Sequence, residues 1–154
     1  MKKIFRVLGI CSLFLVLVSA NSNDTHLITL TVDTSAINSS NIDEVSSFGQ
    51  ESGVTNEEYT ITVKSGDIVV WQGVSSSSED DEVLISAINY QGGTNVFGQN
   101  TLKDTSQNPG VVIGVVGDHP DGTETKYMIS FKVRNNGSRR NGTFNIDPKI
   151  MVKN

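Results

Sequence analysis

YMISFKVRNNGSRRNGTFNIDPKIMV, Tyr127–Val152, is the stretch whose reading decides the fold. Tyr127, Ile129, Phe131 and Val133 alternate with Met128, Ser130, Lys132 and Arg134, and on the return Phe144 and Ile146 alternate with Asn145 and Asp147. A period of two is that of a half-buried strand, with one apolar and one wet face. The two runs are separated by Asn136-Gly137 and Asn141-Gly142. Asn-Gly accepts the positive φ values of a reversal, so the segment is expected to be an antiparallel hairpin. Asp147-Pro148 interrupts the return strand. Proline cannot donate to a ladder, so residues 143–152 are expected to bend there or to form an edge strand, a candidate pairing edge for a homo-oligomer.

Upstream, the same alternation recurs. His26–Val32 carries Ile28, Leu30 and Val32 on one face and Leu27 with the threonines on the other. Tyr59–Val63 and Ile68–Trp71 flank Lys64-Ser65-Gly66-Asp67, a spacing that predicts a second hairpin. Val83–Ile88 is a further strand that Gly92-Gly93 is expected to end, and Val96-Phe97 supplies an aromatic anchor under the next loop. The uninterrupted apolar run Val111–Val116 predicts a short central strand, and Pro120-Asp121-Gly122 a tight turn after it. Residues 34–58 are mostly polar, with one helical turn expected around Ile42–Phe48. No amphipathic helix longer than two turns and no internal repeat is present. The expectation is an all-β chain: one antiparallel β-sandwich of about seven strands, immunoglobulin-like or jelly-roll.

The first twenty residues have a different character. Lys2, Lys3 and Arg6 precede an apolar run from Val7 to Val18, followed by Ser19-Ala20. This is the pattern of a bacterial secretory signal peptide, residues 1–20, cut after Ala20. The run falls short of the ~20 residues that span a bilayer, so a transmembrane anchor is not expected. Residues 21–154 then form one domain, exported to the periplasm, the cell surface or the medium. Cys11 is the one cysteine of the chain and lies inside the leader, without a full apolar region ahead of it as a lipoprotein site needs. The mature part therefore has no thiol for a disulfide, a zinc-thiolate site or cysteine catalysis. Taking Lys2, Lys3 and Arg6 from the twelve basic residues leaves nine against seventeen acids, a net charge of about −8. So acidic a chain repels phosphate backbones, and nucleic acid is not an expected partner.

Candidate sites are few. Asp118, Asp121 and Glu124 are close enough in sequence to suggest a calcium loop, although the turn explains them equally and a full calcium loop supplies more ligands. Glu79-Asp80-Asp81-Glu82 is expected to be a solvated loop. Nothing resembles a nucleophile elbow or a phosphate-binding loop, and His26 and His119 stand far apart. Gly66–Trp71 belongs to a phrase shared with small blue-copper proteins, but a copper centre needs a thiolate and two imidazoles that the mature chain cannot supply. Four Asn-x-Ser/Thr sequons, at Asn23, Asn38, Asn136 and Asn141, are read as turn chemistry in a bacterial chain.

The order Ile28–Thr34, then Gly66–Trp71 with Gly73, then Tyr127-x-Ile129-x-Phe131, then Phe144-x-Ile146-Asp147-Pro148-Lys149-Ile150, resembles the AidA/PixA inclusion-body protein family. The closing Asp-Pro strand is also similar to that of the DP-EP family of bacterial β-sandwiches. The resemblance implies a small β-sandwich and a non-enzymatic role, and it carries over no catalytic residue or cofactor. Two departures stand against it: the inclusion-body proteins are cytoplasmic whereas this chain opens with an export signal, and its mature part holds only Met128 and Met151. The expected function is thus an exported binding or assembly module with a protein or glycan partner. The alternative is a divalent-cation or carbohydrate binder that uses the acidic loops.

Overall fold

A computed structural model describes residues 23–154, and the expected signal peptide lies outside them. Eleven strands follow one another: β1 Thr25–Val32, β2 Ser46–Ser47, β3 Thr60–Val63, β4 Ile68–Ser75, β5 Glu82–Gly93, β6 Thr101–Lys103, β7 Val112–Val115, β8 Glu124–Asn135, β9 Ser138–Arg139, β10 Phe144–Ile146 and β11 Lys149–Val152. No helix occurs among the described residues. The strands form two sheets, one of four in the order β2-β1-β4-β7 and one of seven built on β3-β11-β8-β5-β6, with β9 and β10 also paired to β8. The seven expected strands are all present. Three short polar strands, β2, β6 and β9, add to them, and the closing strand divides into β10 and β11.

The closing hairpin forms as expected. Phe144 stands opposite Phe131 and Ile146 opposite Ile129, and the chain then bends at Asp147-Pro148 before Ile150 pairs with Thr125. The bend does not leave an outer edge along the whole of 143–152, which corrects that half of the expectation. β11 lies between β8 and β3, with Ile150 also opposite Ile61, so its ladder is occupied on both sides.

Both sheets are mixed rather than antiparallel, and the second expected hairpin is where the difference arises. β3 and β4 do not pair. β3 runs parallel to β11 in one sheet, and β4 runs parallel to β1 in the other, from Thr25 opposite Ile68 to Val32 opposite Ser75. The four residues between them form an arch across the sandwich, because Asp67 is drawn into the interior instead of capping a surface turn. It is 2% exposed, and its carboxylate accepts the N–H groups of Asp24 and Lys64 and bonds to His26 Nε2.

Two further corrections bear on the surface. β5 continues through Gly92-Gly93, absorbing irregularities at Ile85/Ala87 and Tyr90/Gly92. Gly93 has φ +80° and lies against the Glu124 carbonyl, where a Cβ would not fit. β7 is not central. It pairs only with β4 and ends the smaller sheet. The expected helical turn is reduced to one i→i−4 bond, from Val45 N–H to Asn41 O, ahead of β2.

The core fills the space between the sheets. Ile28, Leu30 and Val32 of β1, with Val69 and Trp71 of β4, face Ile85 and Ile88 of β5 and Tyr127, Ile129 and Phe131 of β8. Trp71 is its centre. The indole meets Phe97 edge-on at 5.3 Å and Tyr127 at 5.7 Å, and its Nε1–H donates to the Tyr127 hydroxyl at 3.2 Å. Burial pushes the Tyr127 phenol well above its ordinary pKa.

Candidate contact surface

Two of the acidic residues that the sequence offers as ligands, Asp81 and Asp121, hold loops. Five connections carry the chain from one sheet to the other, and an Asp or Asn side chain anchors each. At the β2–β3 connection, Asn56 donates to Asp43 Oδ1 and Ser46 O and accepts from Gln50. Asp67 closes the β3–β4 arch. Asp81, between β4 and β5, accepts from the Thr34 hydroxyl at 2.6 Å, from Asn135 Nδ2 at 2.6 Å and from Asn136 N–H at 3.0 Å. Asp104 accepts from Gly110 N–H at 3.0 Å before β7, and Asp121 accepts from Asn154 N–H at 2.7 Å before β8. A carboxylate suits these places because it can accept from several N–H and O–H donors where the chain leaves its ladder.

The pKa directions follow from these bonds. Burial alone would raise the Asp67 carboxyl, but donation from Lys64, His26 and Asp24 outweighs it and holds the group below its ordinary value. Asp81 is lowered first by the Thr34 hydroxyl and then by Asn135 and Asn136. The run at 79–82 is therefore not wholly a solvated loop: Glu82 also meets Arg134 at 3.1 Å. Glu79 and Asp80 remain exposed beside a cleft of about 430 Å³ between this loop and Pro109–Val111.

Of the calcium candidates, Asp118 and Asp121 lie in the turn between β7 and β8, and Glu124 begins β8 opposite Met151. Among the described residues no group of three or more His, Cys, Asp or Glu side chains is gathered to hold a metal ion. Among the described residues, neither imidazole is hydrogen-bonded to a hydroxyl side chain. His26 bonds Asp67, and the His119 backbone exchanges hydrogen bonds with Ser65 while its carbonyl also accepts from Asn154.

What the fold does gather is apolar surface. Leu27, Val70 and Ile113 stand opposite one another across β1, β4 and β7, and Ile68 stands opposite Val115 in the adjacent row. Their neighbours in sequence, Ile28, Val69, Val112 and Gly114, point into the core, so these rows point outward. Leu27 is 60% exposed, Val115 59% and Ile113 49%. The sequence pattern puts Leu27 on the face opposite Ile28, Leu30 and Val32 but reads 111–116 as a central strand. Its unbroken valines match a strand covered on both faces, and nothing in their spacing distinguishes an edge from a centre.

No family model matches the chain, and no curated protein sequence matches it. Solved structures do. The two-sheet architecture is similar to the crystal structure of the inclusion body protein PixA from Burkholderia cenocepacia J2315, at 17% identity, with a TM-score of 0.60, covering 86% of this chain and 97% of that one. The fold expected from the inclusion-body resemblance is thus present. Weaker likenesses, with TM-scores of 0.37 and 0.35, are to the N-terminal domain of phage TP901-1 ORF48 and to the cysteine protease inhibitor EhICP2 from Entamoeba histolytica. At 13% and 11% identity these cover 85% and 87% of this chain, and 99% and 100% of those two.

Proposed function

We propose that the chain is an exported, non-enzymatic β-sandwich that acts by contact, through the outer face of the four-stranded sheet. The observation that carries this reading is the pair of outward rows, Leu27–Val70–Ile113 and Ile68–Val115, on a molecule whose other surfaces are largely polar. A contiguous apolar patch on an acidic, soluble-looking surface marks an interaction site more often than a catalytic one. The carboxylates engaged as loop anchors support the non-enzymatic part, and the leader composition at residues 1–20 supports export.

Each part has its own test. Fractionation with N-terminal sequencing is expected to recover a chain beginning near Asn21 outside the cytoplasm; recovery of the uncut chain from the cytosol alone would refute export. For the contact face, the natively folded chain is expected to enhance the fluorescence of an anilinonaphthalene sulfonate dye. Leu27→Lys should remove most of that signal, and Lys132→Ala, on the opposite sheet, should leave it. Equal signal from the wild type and Leu27→Lys would refute the assignment of the face.

A further inference from the structure

We propose that the partner of this face is a second copy of the same chain, joined by antiparallel pairing of β7 with its counterpart, so that two four-stranded sheets become one of eight. The proposal rests on the contact reading above and specifies its partner.

It starts from the backbone of β7. Val116 donates its N–H to Asp67 O and accepts from Gly66 N–H, which places its backbone groups on the β4 side. Backbone groups alternate sides along an antiparallel strand, so those of Gly114 and Val112 face β4 and those of Ile113 and Val115 face away. Gly117 fits this alternation, because its N–H points away from β4 to Val96 O at 2.7 Å. Among the described residues, no strand pairs with β7 on that side. Two donors and two acceptors are left facing outward.

The other open edges are protected in ways that β7 is not. β2 has two residues, β6 has three and includes Lys103, and β3 carries Thr60 and Thr62 on its exposed side. Short length, charge and polar side chains are the usual means by which edges avoid pairing. β7 is short as well, at four residues, but from Val111 to Gly117 there is no charge, no proline and no polar side chain.

The geometry also selects a copy of itself. With a two-fold axis at Gly114, Ile113 of each copy stands opposite the second copy's Val115. Both residues direct their free N–H and C=O groups at each other, which closes four hydrogen bonds. Their side chains lie on the same outer face, so the Leu27–Val70–Ile113 row runs on into the second copy's Val115 and Ile68. On the inner side glycine meets glycine. Gly114 has no room for a Cβ, which would stand 2.7 Å from Leu102 Cδ1 and 2.9 Å from Phe97 Cδ1, so the strand lies flat on the core at the axis. Charge points the same way. Two chains of about −8 repel one another over most orientations, and an approach along the uncharged β7 edge keeps their acids apart. A four-residue edge is small beside a standard interface, so the association is weak and reversible.

Sedimentation equilibrium of the purified chain, on the order of 1 µM to 1 mM, reads this directly. The wild type is expected to pass from monomer to dimer across that range. Ile113→Pro removes an outward N–H without removing a bond to β4, and Val115→Lys places a charge opposite Ile113; each should raise the dissociation constant by about tenfold or more. Amide hydrogen exchange guards against a folding artefact: protection of Ile113 and Val115 should rise with concentration, while Val112 and Gly114 are protected at every concentration. A chain that stays monomeric to the top of the range overturns the proposal. So does a dimer unaffected by either variant, or one without added protection at Ile113 and Val115. If such a dimer is broken by Leu27→Lys, the contact face stands and the β7 pairing falls. If Leu27→Lys also leaves the dye signal intact, the contact reading falls with it.

Discussion

The two sheets share a core but present opposite outer faces. On the larger sheet the residues of β8 that point away from the core include Lys126, Met128, Lys132 and Arg134, and Glu82 answers Arg134 across the pair with β5. On the smaller sheet the corresponding positions include Leu27, Ile68, Val70, Ile113 and Val115, with Thr25, Thr29, Thr31 and Gln72 beside them. Burial alternates along the strands of both, but β4 and β7 are apolar at inward and outward positions alike, whereas β8 is mostly polar at its outward ones. Folding requires only that the inward residues be apolar, and it places little demand on the outward ones. An apolar outward row is therefore not explained by the stability of the monomer, and this is what makes the smaller sheet the candidate for contact.

If that is right, substitutions should sort by the direction a side chain faces. The largest loss should come from the shared core: Phe131→Ala removes a fully buried ring tilted against Phe144 at 5.4 Å and is expected to cost about 3–5 kcal/mol in urea unfolding. Asp67→Ala comes next, at about 3 kcal/mol, because it strands buried donors at the arch that assigns β3 and β4 to different sheets. Asp81→Asn should cost less at neutral pH and mainly change the pH dependence. The folded carboxyls of Asp67 and Asp81 both lie below their ordinary values, so their stabilisation is complete above the unfolded value of about 3.9 and is lost as pH falls through the folded ones. Urea midpoints followed from pH 6 downward should fall for the wild type, and less steeply for Asp81→Asn. The smallest effect belongs to the outer face: Leu27→Lys and Val115→Lys should each change monomer stability by less than about 0.5 kcal/mol. A large loss from either would break the comparison, since it would make the outward row structural.

Much of this was visible in the residues. The alternation located all seven principal strands and put Leu27 and Ile28 on opposite faces, and the Pro-Asp-Gly order marked the turn at Pro120-Asp121-Gly122, where Thr123 N–H bonds Pro120 O and Gly122 has φ +81°. Pairing partners were not visible. Tyr59–Val63 and Ile68–Trp71 have hairpin spacing, and what sends them to different sheets is the fit of one carboxylate among donors from Asp24, His26 and Lys64, the first two about forty residues away. The partners of the acids of 79–82 and 118–124 were hidden for a related reason. Local spacing shows that carboxylates are close to one another, but not that Asp81 is taken by Thr34 and Asn135 or Asp121 by Asn154. β7 was misplaced because exposed and buried valines look alike in one dimension.

The parallel pairing of β3 with β11 has a temporal consequence. Ile61 waits for Ile150, so one edge of the larger sheet stays open until a segment some ninety residues downstream has joined it. Closing so long a loop is slow, and until it closes β3 has no neighbour to complete its ladder. The delay bears on the proposed export, because a chain whose larger sheet is still open is easier to thread than a closed sandwich.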